Sequence, residues 1–88
     1  MNVEFRDSFA KDLKGIKDNA LFKRIKDIIE SVEQADSLSH LPNLKKLKGN
    51  ESYFRLRVGD YRLGLVQKDA TIIFVRCLNR KDIYKYFP

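Results

Sequence analysis

The stretch Tyr53-Phe54-Arg55-Leu56-Arg57-Val58-Gly59-Asp60-Tyr61-Arg62-Leu63-Gly64-Leu65-Val66 constrains the fold more than any other part of the chain. Apolar and basic residues alternate up to Val58, which is the two-residue period of a strand with one face buried. Gly59-Asp60 then supplies a two-residue turn, with the glycine taking the positive φ of a type II′ geometry. Such a turn sets the register, with Val58 opposite Tyr61 and Arg57 opposite Arg62. Phe54, Leu56, Val58, Tyr61, Leu63 and Leu65 then share one face, and Arg55, Arg57 and Arg62 share the other. Like charges directly opposite on a sheet repel. Their presence points to a bound anion.

The flanking segments supply the rest of a small domain. Asn2–Phe5 reads as a short strand with Val3 and Phe5 inward. A first helix carries Phe9, Leu13 and Ile16 at helical spacing, with Asp7 or Ser8 as its cap. It ends near Gly15 and Lys17-Asp18-Asn19. A second helix has an apolar stripe of Leu21, Ile25, Ile28 and Val32, flanked by Phe22 and Ile29. Together the helices form a helical hairpin whose apolar face needs a sheet to bury it. Residues 35–44 read as a loop, followed by the basic knot Lys45-Lys46-Leu47-Lys48-Gly49. After a second turn near Lys68-Asp69, a third strand runs from Thr71 to Leu78. Its alternation groups Ile73, Val75 and Cys77 against Ile72, Phe74, Arg76 and Leu78, so Arg76 belongs to the arginine face. The end of the chain, from Asn79, reads as a short helical tail. The expected fold class is α+β: a small antiparallel sheet packed on an N-terminal helical hairpin, as one domain over residues 1–88.

Charge narrows the function. The net charge is +6, and residues 43–88 hold 11 of the 18 Lys and Arg but only 4 of the 12 Asp and Glu. The basic excess therefore coincides with the hairpin, a field that attracts polyanions. No apolar run approaches the roughly 20 residues needed to cross a bilayer, and the N-terminus does not read as a signal peptide. The lone Cys77 packs as a small hydrophobe and fits a reducing, cytoplasmic setting. No cysteine–histidine cluster has metal-ligand spacing. Tyr53 and Tyr61 read as sheet packing, and Gly64 leaves room across from Arg55.

Three motifs, taken in order, carry a family resemblance: Leu44-Lys45-Lys46-Leu47-Lys48-Gly49, the hairpin from Tyr53 to Leu63, and Asn79-Arg80-Lys81-Asp82-Ile83-Tyr84. Together they resemble the RelE/ParE superfamily of toxins from bacterial toxin–antitoxin pairs, over nearly the whole chain. RelE-like members of that superfamily cut messenger RNA in the ribosomal A site without a metal, and ParE-like members inhibit DNA gyrase. The basic hairpin and terminal tyrosine are more similar to the RNA-cleaving branch. The resemblance implies three partners: a cognate antitoxin, messenger RNA and the ribosome. It implies no cofactor, and neither it nor the sequence suggests a membrane.

Metal-free cleavage uses the 2′-hydroxyl as nucleophile on the adjacent phosphate. It requires a base, positive charge for the developing phosphorane, and an acid for the leaving 5′-oxygen. Arginine suits the charge-stabilising task because its fork matches phosphate oxygens. By the resemblance, Arg62 and Arg80 match phosphate-contacting arginines, Arg55 falls near the strand lysines, and Tyr84 matches the tyrosine that orients or deprotonates the 2′-hydroxyl. Lys46 and Lys48 match positions that hold the RNA backbone, and Arg57, Arg76, Lys81 and Lys85 extend the basic surface. The chain departs from many relatives at Asn79, where they carry histidine. Its single histidine, His40, lies in the loop before the sheet and reads as a surface residue. A tyrosine with an ordinary pKa of about 10 then needs neighbouring cations to act as a base. Alternative functions are gyrase inhibition and RNA binding without catalysis.

Overall fold

The computed structural model describes residues 1–47, 49 and 52–88. In chain order the elements are β1 (Asn2–Phe5), α1 (Asp7–Lys14), α2 (Asn19–Gln34), a 3-10 turn (Leu38–His40), β2 (Leu44–Lys46), β3 (Tyr53–Val58), β4 (Tyr61–Lys68), β5 (Thr71–Asn79) and α3 (Arg80–Tyr86). The strands form one sheet in the order β1-β5-β4-β3-β2. Pairing is antiparallel from β2 through β5, but β1 lies parallel to β5, so the sheet is mixed. This corrects the expectation of an antiparallel sheet. The chain leaves β1 through two helices and three strands before reaching its partner, a long-range pairing that no local pattern announces.

The central hairpin has the expected register, Val58 opposite Tyr61 and Arg57 opposite Arg62. Gly59 has a φ of +59°, and Asp60 is not in the positive region, as a type II′ turn requires. The basic knot begins as a strand. Leu44–Lys46 forms an edge strand, with Lys45 opposite Arg55 and Lys46 opposite Phe54. Of the rest of the knot, Lys48 lies outside the described residues.

β5 departs from simple alternation. Its partners on β4 step from Gly64↔Arg76 to Leu65↔Phe74, leaving Val75 as a bulge. The bulge resets the faces. Ile72 and Phe74 join Cys77 in the core, and Ile73 moves to the side of Arg76 and Leu78. The Val75 carbonyl accepts a bond from Ser8 Oγ at 2.6 Å. Ser8 is therefore an anchor rather than a cap. Arg6 stands at the N-cap position of α1, with no side-chain cap bond. Asp18 does cap α2, accepting from the Ala20 and Leu21 amides.

The core lies on one face of the sheet, where Leu56, Val58, Leu63, Leu65, Ile72, Phe74 and Cys77 meet Phe9, Leu21, Ile25, Val32 and Leu38. Burying each Leu, Ile or Phe is worth about 1.5–3 kcal/mol. The two N-terminal helices do not act as a self-contained hairpin. α1 rests on β5, whereas α2 rests on β1 and β3. On the opposite face α3 packs over β4 and β5, with Ile83 and Phe87 buried. Among the described residues no helix is long and apolar enough to cross a membrane.

Candidate active site

The face that carries α3 is organised by a single cross-strand row. Lys45 on β2, Arg55 on β3, Gly64 on β4 and Arg76 on β5 are successive register partners. Residues in such a row point the same way. α3 sits on the row with a different side chain over three of its four members. Phe87, the residue that ends α3, packs its ring directly on Gly64, where an added Cβ would stand 2.6 Å from ring carbon Cγ. The Tyr84 ring receives the Arg55 guanidinium, 4.4 Å from its centroid. The Tyr86 ring lies 5.6 Å from the guanidinium of Arg76. Ile83 and Phe87 are four residues apart and so share the buried stripe of the helical turn. Gly64 thus does leave room, and the room is occupied by Phe87.

A cleft of about 360 Å³ opens beside Tyr84, lined by Asn43, Leu44, Lys45, Arg55, Arg57, Arg62 and Tyr84. Among the described residues, no carboxylate and no histidine lines it. Each of two arginines is held by a local partner. Arg57 Nη2 donates to Asn43 Oδ1 at 3.0 Å. Arg62 Nη1 donates to the Gly59 and Tyr61 carbonyls, both at 2.9 Å. These neutral acceptors orient the guanidinium groups and leave their charge in place. The two opposed arginines are thereby kept apart by being tied to different segments. Tyr84 is two-thirds exposed and, among the described residues, carries the one side-chain hydroxyl that lines the cleft.

The expected residues divide into groups. Arg55, Arg57, Arg62 and Tyr84 come together in the cleft. Arg80 begins α3 beside the hairpin turn, its amide donating to the Asp60 carbonyl at 2.9 Å, and does not line the cleft. Lys81 and Lys85 are exposed on α3. Lys46 lines a separate depression with Leu38, Leu41, Phe54 and Gln67. Strand alternation turns Lys46 away and brings Lys45 in, so Lys45 is a cleft residue that the sequence reading missed. Asn43 was missed too. Its left-handed φ of 64° suits asparagine, and its carbonyl also accepts the Arg57 amide at 3.0 Å.

Arg76 shares the arginine face but not the cleft. Its Nε and Nη2 donate to Asp12 Oδ2 and Oδ1 at 2.8 and 3.1 Å, a forked pair from α1. Among the described residues this is the only ion pair formed. Hydrogen bonding to Asp12 raises the Arg76 pKa from its ordinary value, against the opposing effect of burial. Asp12 Oδ2 also accepts the Cys77 amide at 2.9 Å. Burial first, and then the Asp12 charge, push the Cys77 thiol up to about 12. At Asn79, where the superfamily often has histidine, the side chain caps α3. Its Oδ1 accepts from the Lys81 and Asp82 amides at 2.9 and 3.0 Å. His40 is exposed at the end of the 3-10 turn.

Fold and site together define a small basic toxin-like domain, and comparison with known proteins agrees. The model of the ParE toxin family of type II toxin–antitoxin systems matches residues 3–84, and the chain belongs to that family. It is 48% identical to Toxin RelE3 of Methanocaldococcus jannaschii, with both chains covered in full. It is 32% identical to Putative toxin RelE1 of the same organism, over 92% of this chain and 90% of that one. A chain of the RelB–RelE antitoxin–toxin complex from Methanococcus jannaschii superposes with a TM-score of 0.83 at 46% identity, covering 97% of this chain and 99% of that one. The YoeB dimer from Staphylococcus aureus, at 23% identity and a TM-score of 0.73 over 91% and 97% of the two chains, shares the fold.

Proposed function

We propose that this chain is a ribosome-dependent endoribonuclease, an mRNA interferase that halts translation in the cytoplasm until a cognate antitoxin binds it. The observation that carries this reading is the cleft in which Lys45, Arg55, Arg57 and Arg62 converge beside Tyr84, with no lining carboxylate among the described residues. Attack by a 2′-hydroxyl forms the O2′–P bond and breaks the P–O5′ bond, with an extra negative charge on the phosphorane between. Arg55 and Arg62 offer that charge fixed cations, which need not reorganise during the reaction. Tyr84 orients the 2′-hydroxyl and relays its proton: as the Tyr84 oxygen takes the 2′-hydroxyl proton, its own proton passes to the leaving 5′-oxygen, so no net proton is gained or lost. Since neither histidine nor carboxylate lines the cleft among the described residues, positioning of the RNA by the ribosome carries a large share of the rate. The likeness to a RelE seen with RelB supports the antitoxin partner.

The test is induction without a partner, followed by mapping of message ends. Cuts are expected inside coding regions, only where ribosomes translate, and absent for Tyr84→Phe and Arg62→Ala. Equal cutting of untranslated RNA would remove ribosome dependence. The matched family model is that of ParE toxins, so gyrase inhibition is the second reading. It would be favoured by accumulation of gyrase–DNA cleavage complexes with messages left intact.

A further inference from the structure

We propose that Asp12 is a positioning residue: by fixing Arg76 as the support of Tyr86, it sets the seat of α3 and therefore where Tyr84 stands over Arg55. Asp12 lies on α1, on the other side of β5 from the cleft, and lines a different depression with Tyr61, Cys77, Asn79 and Asp82. It nonetheless makes three bonds to β5, two to the Arg76 fork and one to the Cys77 amide. β1 ends at Phe5, opposite Phe74, so β5 has no strand neighbour on that side beyond this point. Asp12 takes the place of one. An arginine held at two nitrogens has little freedom left, and its guanidinium is the surface that Tyr86 meets. Tyr84 and Tyr86 are two residues apart on a seven-residue helix and flank its buried stripe from opposite sides. A roll of α3 that releases Tyr86 must therefore move Tyr84.

This inference rests on the reading of Arg55 and Tyr84 as reacting-site residues, but the placement itself can be measured without any cleavage. A guanidinium above an aromatic ring has its δ protons shifted upfield by the ring current. The readouts, in the full chain, are the Arg55 δ-proton shift, the melting temperature, and kcat and KM in a translating system. In Asp12→Asn, which keeps an acceptor for the Cys77 amide, the Arg55 resonance is expected to move towards its free-chain position. kcat is expected to fall roughly tenfold with KM little changed, within the range for a misplacement of about 1 Å. Tyr86→Leu leaves every Asp12 bond intact at an exposed position and is expected to give the same Arg55 shift. The double variant is expected to be no worse than either single. A variant that melts lower but keeps the wild-type Arg55 resonance in both cases would make Asp12 purely structural and overturn the proposal. If Asp12→Asn does not fold, Tyr86→Leu decides alone. If wild type cuts no RNA, the proposed activity fails while the resonance still decides the positioning.

Discussion

Gly64→Ala adds one methyl group at the point where the cross-strand row and α3 touch. The new Cβ would stand 2.6, 2.7 and 2.8 Å from three carbons of the Phe87 ring. Carbon pairs sit comfortably at about 3.5–4.0 Å, so the ring must retreat by roughly 1 Å or leave its place. Leaving exposes a buried Phe side chain, a loss of about 1.5–3 kcal/mol. Gly64 has an ordinary negative φ, so alanine also stabilises the strand by about 0.4–1 kcal/mol through the unfolded chain. The net expectation is a loss of about 1–2 kcal/mol by these two magnitudes. Phe87→Ala alone should cost about 3 kcal/mol, at the low end for a buried Phe because the short α3 can settle into part of the space. In the double variant the three close ring contacts are gone, so it should be no less stable than Phe87→Ala. Urea melts of the four proteins measure this coupling, which should exceed the roughly 0.3–0.5 kcal/mol within which independent sites add. An additive cycle, or a Gly64→Ala protein as stable as wild type, would show that Phe87 is not seated on Gly64 in solution.

Four further outcomes are expected. Arg62→Ala loses two bonds to the turn, each about 0.5–1.5 kcal/mol, and relieves a like-charge pair worth about 0.2–1 kcal/mol. The balance is a loss of about 1 kcal/mol, so the protein should stay folded and melt about 4–8 °C lower, while cleavage falls roughly 100-fold or more; a protein that unfolds instead would make Arg62 structural. Asn43→Gly keeps the left-handed backbone and removes the acceptor on Arg57, so RNA binding should weaken in a protein of unchanged fold, as gel shift and circular dichroism would show. Asn43→Ala should in addition lose about 1 kcal/mol to backbone strain. The Cys77 thiol is raised from 9.0 to about 12 in the fold. Its contribution to stability is therefore complete below pH 9. Above that the unfolded chain releases the proton and the folded chain does not, so stability declines by about 1.4 kcal/mol per unit up to about pH 12. The difference between the pH–stability curves of wild type and Cys77→Ala isolates this slope, and identical curves would contradict it. Single-stranded RNA should bind with a log K against log salt slope of about −3, four cleft cations at about 0.7 each. A slope near zero would take phosphate out of the cleft.

What the sequence made legible is what local chemistry decides. Gly59-Asp60 admits one tight turn, and that turn with the flanking alternation sets the Arg57–Arg62 pairing. The stripe on α2 is a strong 3.6-residue pattern, and the helix follows it. The features that stayed hidden depend on partners far along the chain. β2 is three residues with two lysines, so it reads as a solvated knot until β3 is known to lie beside it. Only then does alternation separate Lys45 from Lys46. The parallel pairing of β1 with β5 joins segments about 70 residues apart. The bulge at Val75 was legible only as a discord, since simple alternation put Phe74 on the side of Arg76. Apolar residues on a charged face were the available signal that the period breaks there. The Asp12–Arg76 bond spans 64 residues, and neither residue carries a local mark of it.

Arg55 and Arg76 show how one fold assigns different work to the same side chain. They flank Gly64 in the same row, point the same way and each meet a tyrosine of α3. Asp12 reaches Arg76 because β1 stops short and leaves that edge of β5 to α1. On the other side β2 continues the sheet and brings a lysine, so Arg55 has a like charge as its neighbour. The acid on α3 itself, Asp82, is engaged by Asn79 Nδ2 at 3.0 Å. The positive charge in the cleft is thus a consequence of topology as much as of composition. The paired edge presents Lys45 beside Arg55, the open edge receives a carboxylate, and α3 is held between an arginine whose charge is matched and one that has no ion pair among the described residues.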